Sequence, residues 1–172
     1  SASPTPRPSA SPTGKPSKNV ASCDHDKPTC EACCPYDCEV KSVSKNGVFD
    51  FSGQAGCVCA AGAGDYSTVT LTSGDDCAFV SGNYAKVFGG AGDDVVTVFD
   101  GKYGEIQGGE GDDVLRSYSE GIKTQGQGQI IFGTVEGGAG DDEIRVFGSY
   151  FHAKGGAGAD EIFVDKAAAA TK

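Results

Sequence analysis

At 172 residues and a net charge of −10, the chain is long enough to bury one modest core and too acidic to favour a nucleic-acid partner. No stretch approaches the roughly 18 consecutive apolar residues of a membrane-spanning helix, so no membrane span is expected. The chain starts without Met and holds neither Met nor Trp, which reads as a processed protein or a fragment from which no signal peptide remains.

Residues 1–20 are a Pro/Ser/Thr tract whose charges are all positive. Such a composition cannot bury a core and favours extended polyproline II. It is expected to be a linker or a glycosylated stalk. Its Ser-Pro and Thr-Pro pairs resemble those of the hydroxyproline-rich cell-wall glycoproteins of plants and green algae.

Residues 21–52 are read as a Cys-rich cap. Cys23, Cys30, Cys33, Cys34 and Cys38 cluster there, and Cys57, Cys59 and Cys77 follow, 8 in all. An even number beside a Pro/Ser stalk points to disulfides and to secretion into an oxidising, extracellular or cell-surface compartment. Cys30-x-x-Cys33 with His25 nearby also has the residue types of a zinc site, but no second Cys-x-x-Cys completes a closed tetrahedral set.

From 53 to 166 the chain is periodic. Gly89 to Asp94, Gly108 to Asp113, Gly137 to Asp142 and Gly155 to Asp160 are nearly one segment repeated, each opening on Gly-Gly-x-Gly. A large aliphatic, Val96, Leu115, Ile144 or Ile162, stands two places after each final Asp. The starts lie 19, 29 and 18 residues apart. Counting 18 back from Gly89 reaches Leu71, whose window keeps Gly74, Asp75 and Asp76; another 18 reaches Gly53, whose window keeps Gly53 and Gly56 but no Asp. The windows make about six turns, the first two degenerate.

Position eight of the six windows reads Ala60, Ala78, Val96, Leu115, Ile144 and Ile162, and position ten reads Gly62, Val80, Val98, Ser117, Val146 and Val164. Residues two apart on a strand share a face, so both columns are expected to line the interior. Position nine, with Ala61, Phe79, Thr97, Arg116, Arg145 and Phe163, suits the outside.

Gly supplies positive φ and lets carbonyls converge on an ion, and Asp supplies the hard anionic oxygen that calcium prefers. Parallel turns about 4.8 Å apart bring equivalent Asp residues close enough to share an ion at calcium–oxygen distances of about 2.3–2.6 Å. Without the ion, carboxylates about 5 Å apart repel by roughly 1–3 kcal/mol per pair at effective dielectrics of about 20–80. Calcium binding and folding are therefore expected to be coupled.

The pattern Gly-Gly-x-Gly-x-Asp-x-U-x, with U a large aliphatic, resembles the calcium-binding nonapeptide of RTX-type β-rolls. The resemblance implies an all-β, right-handed parallel β-roll or β-solenoid with bound Ca2+. It implies that Asp94, Asp113, Asp142 and Asp160, with Asp76 a weaker candidate, ligate the ions. Carbonyls around Gly90, Gly92, Gly109, Gly111, Gly138, Gly140, Gly156 and Gly158 would complete the shells. In that family both halves of a turn usually carry the motif. Here Val80 to Phe88, Val98 to Gln107 and Val146 to Lys154 do not, so one ion ladder, on one edge, is expected. The Asp at position five, Asp93, Asp112 or Asp141, is Ala159 in the last copy and so reads as less necessary. Cys59 and Cys77 occupy position seven of consecutive windows, which predicts a disulfide between them. Cys57 and the upstream cysteines would then pair among themselves and cap the amino-terminal end.

Ser119 to Gln129 has turn composition and reads as a loop extruded from the roll, which either leaves Asp113 and Asp142 adjacent or breaks the ladder. Residues 167–172 read as a short tail. Neither His25 nor His152 has a context that pairs it with a nucleophile, so no enzyme is expected. Two functions compete. One is an extracellular calcium-binding structural or adhesive component of a cell wall, matrix or surface filament, contacting copies of itself, matrix proteins or polysaccharide. The other is a calcium-dependent carbohydrate-binding or targeting module of a secreted enzyme. Phe79, Phe88, Phe99, Tyr103, Tyr150, Phe151 and Phe163 are expected outside as contact residues. Thr97 stands alone in position nine, so an ice-binding Thr column is not supported.

Overall fold

The computed structural model describes residues 29–99, 102–118, 133–147 and 151–165. The stalk, Cys23, His25, the loop Ser119–Gln129, Tyr150, the Phe151 side chain and the tail lie outside the described residues. Short runs rich in Val, Ile and Phe alternate with glycine-rich loops, and each run is a strand. One sheet holds seven strands: β1 (Glu39–Val43), β3 (Val58–Ala63), β5 (Cys77–Ser81), β7 (Val95–Phe99), β9 (Val114–Tyr118), β11 (Glu143–Phe147) and β13 (Glu161–Asp165). The other holds six: β2 (Val48–Asp50), β4 (Thr68–Thr70), β6 (Lys86–Ala91), β8 (Glu105–Glu110), β10 (Gly133–Ala139) and β12 (Phe151–Ala157).

The chain passes from one sheet to the other at every loop, and each strand pairs in parallel with the strands two before and two after it. This is a parallel β-solenoid. Its register is the one the windows predict: Ala60, Ala78, Val96, Leu115, Ile144 and Ile162 are successive partners. All but Ile162 are fully buried between the sheets, against Val69, Leu71, Val87, Ile106 and Val135 of the opposite wall. Ile162 is 43% exposed because no later turn covers it among the described residues.

Three expectations are corrected. The solenoid starts earlier than residue 53, since β1 pairs with β3 and β2 with β4, so 39–50 form a first turn rather than part of the cap. That turn carries no Gly-Gly-x-Gly to reveal it, yet Val43 and Phe51 enter the core. Secondly, Phe79 is not an outward contact residue: it is 2% exposed, and Thr97 and Arg116 of the same column are also buried. The short helix α1 (Cys30–Cys33) and its cysteines lie on the outer face of the first sheet and cover Phe79 together with Cys59, Cys77 and Val95, while Arg116 leans on Glu143 at 3.6 Å.

Thirdly, Cys59 and Cys77 are register partners but are not bonded to each other. The disulfides are Cys30–Cys59, Cys34–Cys77 and Cys38–Cys57. Cys30 and Cys34 are one helical turn apart, with the Cys34 amide donating to the Cys30 carbonyl, and four residues rise about 6 Å. That nearly matches the strand spacing of about 4.8 Å, so α1 stands across two strands and takes one cysteine from each. The zinc reading fails with the same bonds, because Cys30 is oxidised and the close trio Cys34, Cys38 and Cys77 has its sulfurs in disulfides. Cys33 is buried and unpaired among the described residues.

Candidate metal centre

The glycine loops stack on one edge of the solenoid, where the chain turns from the second sheet back to the first. Backbone passes so close to backbone that side chains do not fit. At Gly109, with φ +129°, a Cβ would collide with the carbonyl of Gly90 one turn earlier, so only glycine serves there.

The position-six aspartates face inward from this edge, and all but the last are buried. Each sends Oδ1 back to the amide of the equivalent residue one turn earlier. The Asp76 amide donates to Asp94 Oδ1 at 2.8 Å, the Asp94 amide to Asp113 Oδ1 at 2.8 Å, the Asp113 amide to Asp142 Oδ1 at 2.9 Å and the Asp142 amide to Asp160 Oδ1 at 3.2 Å. The predicted site residues Asp76, Asp94, Asp113, Asp142 and Asp160 therefore form one continuous column, and the 29-residue interval does not break it.

The second oxygen of each carboxylate separates these residues into groups. Oδ2 of Asp94, Asp113 and Asp142 is buried with no hydrogen-bond partner. A buried anionic oxygen without a partner is costly, and three in register suit a cation as their partner. The space beside them is kept open by the position-one glycines. A Cβ on Gly108 would run into Asp113 Oδ2 and lie 2.7 Å from the Gly137 carbonyl oxygen; one on Gly137 would run into Asp142 Oδ2 and lie 2.6 Å from the Gly155 carbonyl. Gly89 holds the same relation to Asp94 Oδ2 and the Gly108 carbonyl. Each cradle thus has a carboxylate oxygen from one turn and a carbonyl oxygen from the next, the hard donors calcium takes.

Electrostatics agree. Burial, reinforced by the neighbouring Asp113 carboxylate and opposed by the Asp76 amide, pushes Asp94 up to about 9. Burial, with Asp142 adding to it, pushes Asp113 up to about 7. Asp142 and Asp76 are also raised, chiefly by burial. Like charges in a dry column resist ionisation, and a divalent cation reverses that preference.

Position five, which reads from the sequence as less necessary, ties consecutive turns together. Asp75, Asp93, Asp112 and Asp141 each send Oδ1 forward to the amide of position five in the next turn, at 3.0, 3.0, 2.9 and 2.8 Å. The two carboxylate columns therefore clamp the turns in opposite directions. The last of these amides belongs to Ala159, which donates to Asp141. Among the described residues no turn follows that of Ala159, so an Asp there would have no amide to clamp. Position five is a structural clamp between consecutive turns. The cap also reaches this edge, since the Tyr36 hydroxyl donates to the Asp93 carbonyl at 2.6 Å.

The opposite edge carries Tyr66 and Tyr84, which the sequence reading passed over, beside Tyr103, which is exposed as expected. Tyr66, Tyr84 and Tyr103 sit at φ 56°, 56° and 58°, a region that non-glycine residues rarely adopt. Their rings stack 4.8 Å apart and all three are exposed. Below them Asp65 Oδ1 accepts the Asn83 amide, and Asn83 Oδ1 accepts the Lys102 amide. The signal was available, because the three tyrosines recur at the same 18- to 19-residue spacing as the glycine loops.

The family model of the RTX calcium-binding nonapeptide repeat (4 copies) matches residues 86–101, 105–119 and 134–146. Those segments contain Asp94, Asp113 and Asp142, the aspartates that have a buried, unpartnered oxygen among the described residues. Fold and loops together define a parallel β-solenoid built on calcium-binding repeats, and Ca2+ is the ion whose donor set the cradles match. No curated protein and no solved structure gives a match to the chain.

Proposed function

We propose that the protein is an extracellular calcium-binding structural or adhesive module without catalytic activity, a rod made rigid by a ladder of ions. The observation that carries this reading is the unbroken column of unpartnered carboxylate oxygens at Asp94, Asp113 and Asp142. An ion bound in each cradle supplies charge neutralisation and a tie between consecutive turns; the chain supplies the carboxylate, the carbonyl and the open space. Three disulfides are compatible with an oxidising compartment.

The tyrosine edge supports contacts with protein more than with sugar. The rings of Tyr66, Tyr84 and Tyr103 cover one another's faces, and a pyranose stacks on an aromatic face rather than on its rim. Tyr rims and hydroxyls are common at protein interfaces. Among the described residues no helix is long and apolar enough to cross a membrane.

The deciding experiment is a calcium titration of the disulfide-intact, chelator-treated protein, followed by far-UV circular dichroism and calorimetry, with pelleting and polysaccharide-retention assays on the loaded form. Gain of strand signal with calcium, together with calcium-dependent self-assembly or adhesion to matrix protein, is the expected result. Absence of calcium binding overturns the reading. Specific retention on a polysaccharide without assembly replaces it with the carbohydrate-binding module.

A further inference from the structure

The loop from Leu71 to Asp76 occupies the same place in the stack as the loops opening at Gly89, Gly108 and Gly137, and it differs from them in three ways. Where those loops have a position-one glycine whose missing Cβ keeps the cradle open, this one has Leu71, fully buried in the core. Where their second and fourth positions have positive φ, as at Gly90 and Gly92, neither Thr72 nor Gly74 does. Where their Oδ2 has no partner, Asp76 Oδ2 accepts two hydrogen bonds, from the Thr72 amide and the Thr72 hydroxyl, both at 2.7 Å. The Thr72 hydroxyl oxygen in turn accepts the Gly74 amide at 3.1 Å.

A carboxylate oxygen holding two short donors is satisfied, and a cation there would have to displace both. We propose that Thr72 closes this step of the ladder to calcium, so that the complete ion sites among the described residues are three, at Asp94, Asp113 and Asp142, and the turns before Gly89 fold without the ion. Asp160 Oδ2 faces the same gap at Gly155 but is half-buried, with no following turn among the described residues to supply the carbonyl. The proposal rests on the calcium reading of the ladder and narrows it.

The disulfides fall on the same side of this boundary. Cys30–Cys59, Cys34–Cys77 and Cys38–Cys57 all close before Gly89, and the ladder carboxylate in that part, Asp76, has both oxygens hydrogen-bonded. Residues 39–88 are therefore tied by three disulfides, and their one ladder carboxylate has hydrogen bonds to offset its burial. They end in a ready template. The Asp76 amide waits for Asp94 Oδ1 and the Asp76 carbonyl for the Val95 amide, so the first ion-dependent turn docks on a finished one. Calcium then acts as a folding switch for 89–165 alone, adding turns outward from a fixed base.

Native mass spectrometry and hydrogen exchange on the full, disulfide-intact chain test this. With calcium, three bound ions are expected; after chelation, amides in 39–88 keep their protection and those in 89–165 lose it. Asp76→Asn is expected to keep three ions and Asp113→Asn to lose at least one. Rewriting the loop with Leu71→Gly, Thr72→Gly and Ser73→Ala recreates the sequence at 89–94 and is expected to add a fourth ion. Four ions in the native chain falling to three in Asp76→Asn, equal loss of protection on both sides of Gly89, or a folded triple variant still holding three ions would each overturn the proposal while leaving the calcium reading intact. A chain that takes up no calcium would overturn both.

Discussion

The amide of Asp113 donates to Oδ1 of Asp142 at 2.9 Å although 29 positions separate the two residues. The neighbouring rungs, Asp76 to Asp94 and Asp94 to Asp113, span 18 and 19 positions with the same bond at 2.8 Å. The ladder is thus indifferent to what lies between β9 and β10. The backbone bond beside it, Gly111 amide to Ala139 carbonyl at 2.8 Å, is equally regular.

Deleting about ten residues from 119–132 restores the 19-residue spacing of the preceding turn and shortens a loop whose closure costs little per residue, about 0.6 kcal/mol per doubling. The shortened protein is expected to bind the same number of ions with stability unchanged or slightly higher. A lost ion on calorimetry would show that the excised residues take part in the Asp113 cradle.

Asp113→Asn preserves the acceptor for the Asp94 amide but removes the anionic charge from the middle cradle. Since even an outer-shell partner is worth about 10–100-fold in metal affinity, the calcium midpoint of folding is expected to rise at least about tenfold. A midpoint within twofold of the parent would exclude Asp113 as a ligand.

Acidity separates the ion-free from the loaded protein. Burial holds Asp94 up at about 9 and Asp113 up at about 7 in the ion-free fold, above the unfolded value of about 3.9. The folded state therefore favours the protonated form. Its contribution is fully present below about pH 4 and is lost as pH rises through about 7 and then about 9. Chelated protein should melt higher at about pH 5 than at about pH 8. Calcium binds the deprotonated carboxylates, so its affinity should rise over the same interval with proton release on binding. Thermal melts with chelator, and calorimetry in buffers of differing ionisation heat, read both effects; a higher melting point for the chelated protein at the alkaline end would contradict them.

Replacing the Cys34–Cys77 pair by Ser is expected to destabilise residues 39–88 by about 2–5 kcal/mol and to leave the ion count unaltered, because the bond joins the residue that follows α1 to β5 on the outer face, away from the cradles. Denaturant titration monitored on the calcium-loaded protein measures the first quantity and native mass spectrometry the second. Non-reducing peptide maps should join Cys59 to Cys30.

Asp112→Ala removes the acceptor of the Asp141 amide on the exposed side of the same loop. A hydrogen bond of that kind is worth about 0.5–1.5 kcal/mol, so the variant should lose about that much stability and no ion. Loss of an ion would make position five a ligand as well as a clamp.

The sequence by itself determined the solenoid, its interior columns and the edge that carries the carboxylates. An aliphatic alternation locked to an 18-residue period admits one stacking register, and a one-residue slip would turn Val96, Leu115 and Ile144 out of the core. Tertiary structure decided the rest. Cys59 and Cys77 were placed in contact correctly but each was claimed by α1, because the choice depended on which outer face the helix covers, and no period encodes that. Phe79, on the outer face, is buried for the same reason. Thr72 became the partner of Asp76 because a hydroxyl and an amide four residues upstream happen to reach the carboxylate once Leu71 fills the core. A repeat fixes what equivalent residues share, and only the folded contacts reveal where one copy has been made different.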